Sequence, residues 1–415
     1  MLVRDDDKTV ITMMNDFEGD YKNFAMVIPV PELLQKEQIN AGDASLVKHL
    51  DSYTAPRLVE YFDPDPCQVF MNESMAVGSP RMMQKGAVKM SAKRNKSLGV
   101  KVEAEYTVGE YDIVILSAKQ SDGLETWLIE NKYNIPKGAR KALAPYIKQK
   151  MKFFVAKVNL KNQKKGGLSF LRPLQLAFNS KKFMLPIRLG MINAKGPQEL
   201  FIYVLTKNGR VETTNYPNVK IPSDLDIPIF IKDEFADFYK SMFDRQVKKE
   251  GMKAVFTEYF WDMGWCDPCA ADPLSAEQLR KLGVFWLNDR PNNRSRPRGK
   301  IMPPRFPRPG RAQNVKVTRL HVRYDKKTFP QDLMFYQTND KKNFQGRYIL
   351  RHPWKGEAKQ CDAAKKYLNT LPDRFEKEAQ NLAHITNWDI NDIRKKMKLS
   401  KSGKSKKNWW NKLWK

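Results

Sequence analysis

Leu200-Phe201-Ile202-Tyr203-Val204-Leu205 runs through Thr206-Lys207-Asn208-Gly209 into Arg210-Val211-Glu212-Thr213-Thr214, two β-branched and aromatic runs joined by Asn-Gly. That dipeptide accepts the backbone angles of a tight turn, so the pair reads as a β-hairpin. Upstream, residues 153–160, 174–178 and 183–189 read as further strands, and 100–118 as two strands around Gly109. Downstream, residues 315–324, 333–337 and 347–350 follow the same pattern. The opening residues read as another hairpin, 9–14 and 24–30, turning at Glu18-Gly19-Asp20. Helical spacing appears at 45–62 with an interruption at Pro56, then at 122–132, 137–150 and 233–249. Residues 275–282 carry a capping box from Ser275 to Gln278, and 361–385 form a helix expected to break at Pro372. Strands and helices are grouped more than they alternate, which predicts an α+β fold of mainly antiparallel sheets with packed helices rather than a doubly wound one.

Composition narrows the class. Of 415 residues, 41% are hydrophobic and 11% aromatic, enough to build a core and to exclude wholesale disorder. No apolar run approaches the roughly 18 residues of a membrane-spanning helix, and four cysteines over this length exclude a disulfide miniprotein. The net charge is +28, from 74 Lys plus Arg against 46 Asp plus Glu. It is concentrated. Residues 80–101 carry +7, 288–311 carry +7 and 394–415 carry +10, leaving +4 for the other 347 residues.

These basic stretches divide the chain: a main α+β region at 1–287 with a basic loop at 80–101, a linker at 288–311, strands and a helix at 312–393 packing on the main region, and a disordered basic tail at 394–415. Six prolines make the linker an extended cationic strap. Arg294, Arg296, Arg298, Arg305 and Arg308 of the strap, with Lys404, Lys406, Lys407, Trp409, Trp410 and Trp414 of the tail, are the candidate contacts to an anionic membrane surface or envelope polymer. The plain alternative is a solvated, solubilising tail. The absence of a recognisable nucleic-acid module counts against nucleic acid as the partner.

Trp265-Cys266-Asp267-Pro268-Cys269 has the pattern of thioredoxin-like redox sites, with Cys266 as nucleophile and Cys269 as resolving thiol. Its context opposes that reading, because Met263-Gly264 breaks the lead-in and the next helix starts at Ser275. Structural disulfides among Cys67, Cys266, Cys269 and Cys361 are favoured, with three pairings open, and a zinc site would have to recruit Cys67 and Cys361 from distant segments. The histidines, His49, His321, His352 and His384, stand singly; His321 shares a strand face with Arg319 and Arg323 and reads as structural. Gly403-Lys404-Ser405 lacks the glycine that a phosphate loop needs five positions earlier, where Lys398 stands. Asp5-Asp6-Asp7 reads as a turn rather than a cation site. No nucleophile, base and oxyanion set can be assembled, so the expectation is a protein without catalysis, cofactor or metal.

Phe24-Ala25-Met26-Val27-Ile28-Pro29-Val30-Pro31, Thr54-Ala55-Pro56-Arg57-Leu58-Val59-Glu60-Tyr61, Leu185-Pro186-Ile187-Arg188-Leu189-Gly190, Thr257-Glu258-Tyr259 through Cys269, residues 318–324 and Arg347-Tyr348-Ile349-Leu350-Arg351-His352-Pro353-Trp354 together resemble a bacterial domain-of-unknown-function family, number 2330. The resemblance covers roughly residues 3–388 and rests on six ordered motifs. It implies a bacterial protein that usually follows a secretion signal, with no established activity and no catalytic residue to transfer. Members generally carry a signal peptide and a further strand ahead of this point, whereas Met1-Leu2-Val3-Arg4 begins inside what looks like the first strand, so a misplaced or truncated start is expected. Export to the periplasm, cell surface or medium would favour disulfides; a cytosolic location would keep the thiols reduced.

Overall fold

The computed structural model describes residues 1–14, 25–68, 99–133, 136, 138–159, 171–192, 194–265, 272–287 and 313–398. In chain order these form β1 (Leu2–Asp5), β2 (Lys8–Met13), β3 (Ala25–Val30), β4 (Ile39–Ala41), α1 (Ala44–Thr54), β5 (Arg57–Phe62), β6 (Val100–Val108), β7 (Tyr111–Ala118), α2 (Ser121–Glu130), α3 (Ala139–Lys148), β8 (Lys152–Val158), β9 (Leu174–Asn179) and β10 (Met184–Leu185). Then follow β11 (Gln198–Thr206), β12 (Val211–Thr213), β13 (Asn218–Lys220), β14 (Leu225–Asp226), α4 (Phe235–Lys249), β15 (Val255–Asp262), α5 (Ala276–Lys281), β16 (Lys316–Tyr324), β17 (Leu333–Gln337), β18 (Phe344–Gln345), β19 (Arg347–His352), α6 (Asp362–Thr386) and α7 (Ile390–Lys396). The class is α+β with mostly antiparallel sheets, as the grouping of elements predicts.

The chain forms two interleaved units, one from Met1–Pro56, Lys93–Lys220 and Gly251–Gln345, the other from Arg57–Ala92, Ile221–Glu250 and Gly346–Lys415. The first contains a nine-stranded sheet ordered β13-β15-β16-β11-β1-β2-β9-β4 with β18 alongside β15, a four-stranded sheet β3-β8-β7-β6 and a small sheet β10-β17-β12. One face of the large sheet (Leu2, Ile11, Leu176, Leu320) packs on Ile28, Ile113 and Phe154 of the four-stranded sheet. Its other face (Val3, Leu205, Val317) is covered by Leu46 and Leu50 of α1 and Leu279 of α5. The outer face of the four-stranded sheet receives Leu124 and Leu128 of α2 and Leu143 and Tyr146 of α3. Both sheets are therefore buried on both sides, which is why β8 reads Phe-Phe-Val-Ala without polar alternation. The second unit holds the sheet β14-β19-β5, parallel throughout, with α4 packed on α6 and Phe238 of α4 set edge-on to Tyr348 of β19, ring centroids 4.7 Å apart.

Several expected elements differ. Asn208-Gly209 does turn the chain, yet β11 and β12 do not pair; β11 lies between β1 and β16, and β12 pairs with β17. The glycine answers a close approach instead: a Cβ there would stand 2.0 Å from the Thr338 carbonyl oxygen. The expected opening hairpin is likewise replaced, since β2 pairs with β1 and β9 while β3 pairs with β8 in the other sheet. Beyond Pro56 the helix pattern gives way to a strand, β5, because proline disfavours the helical conformation in the residue before it and its apolar neighbours find strand partners in β19. Pro372 does not break α6, which runs for 25 residues; Pro372 is exposed, so the carbonyl it deprives of a donor need not be buried. Arg394, Lys395 and Lys396, where the basic tail was expected to begin, close α7, and Arg394 pairs with Glu376.

Candidate functional site

Among the described residues, a buried charge network grows from the alternation of β16. Successive residues face opposite ways, so Leu320 and Val322 enter the core between the sheets while Arg319, His321 and Arg323 line the face toward α1. Across the ladder, β11 sets Tyr203 opposite Arg319, Phe201 opposite His321 and Glu199 opposite Arg323. On the other side, β15 pairs Thr257 with Leu320 and Tyr259 with Arg319, which makes Glu258 the extra residue of a bulge. Its fully buried carboxylate accepts from Arg319 Nε at 2.5 Å and from His321 Nδ1 at 2.7 Å. Arg319 also donates to the Asp51 carboxylate of α1 at 2.6 Å, which Tyr203 reaches at 2.5 Å. His321 Nε2 lies 3.5 Å from Glu199, and Glu199 accepts from Arg323 Nε at 2.7 Å. Phe201 stacks on His321 at 4.1 Å, with the Arg319 guanidinium 4.7 Å from its ring centre.

Burial by itself would lower the His321 pKa, but hydrogen bonds to Glu199 and Glu258 outweigh it and hold the imidazole above its ordinary value. The His321 hydrogen bond, opposed by burial and joined by Arg323, takes Glu199 down to about 2. Two arginines, Arg319 and Arg323, and His321 thus face three carboxylates, Glu258, Asp51 and Glu199. The network ties α1, β11, β15 and β16 together.

The second unit carries its own cluster at the carboxyl ends of its parallel strands. Asp63, just past β5, accepts from Tyr367 at 2.6 Å and pairs with Arg374 of α6. Glu378, one turn further along α6 and 2% exposed, lies 3.5 Å from Arg374 Nε. Burial first, then the Asp226 and Asp63 charges, push Glu378 up to about 7 against the pull of Arg374. At the same strand ends His352 Nε2 donates to Glu60 at 2.8 Å and its ring stacks on Phe62.

Among the cysteines, Cys67 and Cys361 form a disulfide across 294 residues, with Cα atoms 6.0 Å apart. Bonded to each other, they supply no thiolates for zinc. Cys361 also caps α6, its sulfur accepting from Ala364 N–H at 3.3 Å. Cys266 and Cys269 lie outside the described residues, as do Arg294, Arg296, Arg298, Arg305, Arg308, Lys404, Lys406, Lys407, Trp409, Trp410 and Trp414. The helix after the cysteine motif begins at Ala276 with Ser275 as its cap. Asp6 and Asp7 form the β1–β2 turn, Asp6 at φ 50°. His49 contacts the Asp272 carbonyl at 2.7 Å. Among the described residues, no group of three His, Cys, Asp or Glu side chains is placed to hold a metal ion, and no helix is long and apolar enough to cross a membrane.

The Arg319, His321, Arg323 row is visible in the sequence, but its acidic partners are not. Glu258 leaves one trace, a lone charge inside the apolar run from Ala254 to Trp261; Asp51 and Glu199 look like ordinary surface acids. In comparison with known proteins, residues 1–336 match the model of a family described as uncharacterized protein conserved in bacteria (DUF2330). No curated protein and no solved structure matches the chain.

Proposed function

Since this chain belongs to the family of uncharacterized proteins conserved in bacteria (DUF2330), we propose that it is a non-catalytic envelope or secreted protein whose basic segments contact anionic partners. The observation that carries this reading is the Cys67–Cys361 disulfide. Such bonds form and persist in oxidising compartments and are rare in the reducing cytosol. Charge placement supports the binding role. Within the fold, Arg172, Arg188, Arg210, Arg319, Arg323 and Arg374 each meet a carboxylate. The 288–311 stretch offers Asp289 alone against eight cations, and residues 399–415 offer no acid at all. Surplus positive charge of that kind attracts polyanions in proportion to the counterions it displaces. Removing residues 399–415, which leaves α7 whole, should weaken sedimentation with phosphatidylglycerol vesicles or a soluble polyanion severalfold at low salt. The intact chain should lose the same affinity as salt rises. Equal binding by both forms at low salt would overturn the reading.

A further inference from the structure

A cleft of about 260 Å³ opens in the first unit beside the end of β3, the edge strand of the four-stranded sheet. Ile11 of β2 and Phe178 of β9 line it from the large sheet, Pro29 and Pro31 from the end of β3, and Met151 and Met184 from the chain entering β8 and β10. Three prolines, Pro29, Pro31 and Pro186, stand in this lining, and a proline carries no N–H, so that backbone offers no donor to a polar ligand. The two methionines add unbranched side chains that adapt to flexible apolar groups. The polar lining is gathered in one place. Ser180, Lys181 and Lys182 are consecutive, and Lys182 draws in Gln149, donating from Nζ to its Oε1 at 2.6 Å while its own backbone N–H donates to Ser180 Oγ at 3.1 Å. The cleft is therefore amphipathic, apolar over most of its wall with one polar rim.

That rim carries the charge. Lys181 and Lys182 are exposed, and among the described residues neither meets a carboxylate; the Lys182 ammonium has the neutral Gln149 amide as its partner. They differ in this from arginines such as Arg188 and Arg210, whose charge the fold already balances. Two ammonium groups without counter-charge beside a trough of apolar walls fit a molecule with an apolar body and one anionic end. The volume lies just under the roughly 300 Å³ at which sites for drug-sized ligands begin, which is room for one hydrocarbon chain and not for the two of a phospholipid. A flat aromatic ligand would need rings to stack on, and among the described residues Phe178 is the one ring in the lining. We propose that the cleft binds a single-chain fatty carboxylate, its chain along Ile11, Phe178, Met151 and Met184 and its carboxylate at Lys181 and Lys182. The site belongs to the folded part of the first unit, and it rests neither on the basic segments nor on the reading of an exported protein.

Isothermal titration of the full chain with decanoate, below its micelle concentration, should show a single equivalent bound. Each methylene removed should weaken binding by up to about fourfold, so hexanoate binds far less well. Decanol, with the same chain and no charge, should bind about fivefold more weakly than decanoate. Replacing both lysines, Lys181→Gln with Lys182→Gln, should remove that difference by bringing decanoate down to the level of decanol. Met184→Trp, which puts a bulkier side chain into the cleft, should abolish binding of both. If Met184→Trp unfolds, the lysine variant and the chain series decide, since both lysines are exposed and their loss breaks no ion pair among the described residues. Removal of residues 399–415 should leave decanoate binding within about twofold, so the cleft and the basic segments can fail separately. Equal affinity for decanoate and decanol, decanoate binding unchanged in the lysine variant, or several equivalents bound without regard to chain length would overturn the proposal. So would a Met184→Trp chain that loses sedimentation with phosphatidylglycerol vesicles while the intact chain takes up no free decanoate, since the occupant would then be a bilayer lipid.

Discussion

Glu258 is the residue on which the first unit's charge network turns. It is wholly buried and accepts from Arg319 and His321, so Glu258→Gln keeps the shape and leaves the Arg319 guanidinium short of a counter-charge. Breaking a buried pair from one side costs about 3–5 kcal/mol, and urea unfolding at pH 7 should show a loss of that order; a loss well under 1 kcal/mol would mean that the network carries little. The network also sets a pH window. His321 binds its proton more tightly in the folded chain, so its contribution is complete below its ordinary 6.5 and fades as pH rises through the higher folded value. Glu199 runs the other way, contributing above its ordinary 4.5 and losing that contribution as pH falls toward about 2. Glu378 opposes folding: raised from 4.5 to about 7, it prefers to be protonated when folded, so its ionisation removes stability between those values. Glu378→Gln should therefore raise the melting temperature of its unit at pH 8 and leave it nearly unchanged at pH 4.5. An equal shift at both pH values would show that packing, and not charge, governs the site.

At the scale of elements, Gly209 shows how a correct local signal can carry the wrong topology. Asn-Gly marked a turn, and the chain turns there, but into a different sheet. Gly209→Ala should cost about 1–3 kcal/mol by forcing the backbone away from Thr338, read as a lower urea midpoint; a neutral substitution would mean that the turn relaxes freely. Alternation placed Arg319, His321 and Arg323 on one face because two-residue periodicity is local. The bulge that swings Glu258 onto that face depends on the register between β15 and β16, which no local pattern encodes. The sheet of the second unit was hidden for a related reason: β5, β14 and β19 are brief and lie far apart in the chain, and the helical spacing before Pro56 extended in appearance through β5. The candidate site was thus legible as a row of cations and illegible as a network.

Over the whole molecule, the +28 separates into a fold whose buried arginines are matched by carboxylates and basic stretches with almost no acid of their own. The disulfide belongs to this scale because it joins residues 294 apart. Replacing Cys67 and Cys361 with serine should destabilise the second unit by about 2–5 kcal/mol, seen as a lower melting transition that reductant shifts no further. An unchanged transition would mean that the unit does not depend on the bond. The most direct test of the proposal that the protein is exported is differential alkylation of its four cysteines in fractions of the bacterium that makes it. The account predicts the chain in the envelope or medium with Cys67 and Cys361 blocked until reduced. Recovery in the cytosol with both thiols free would contradict it.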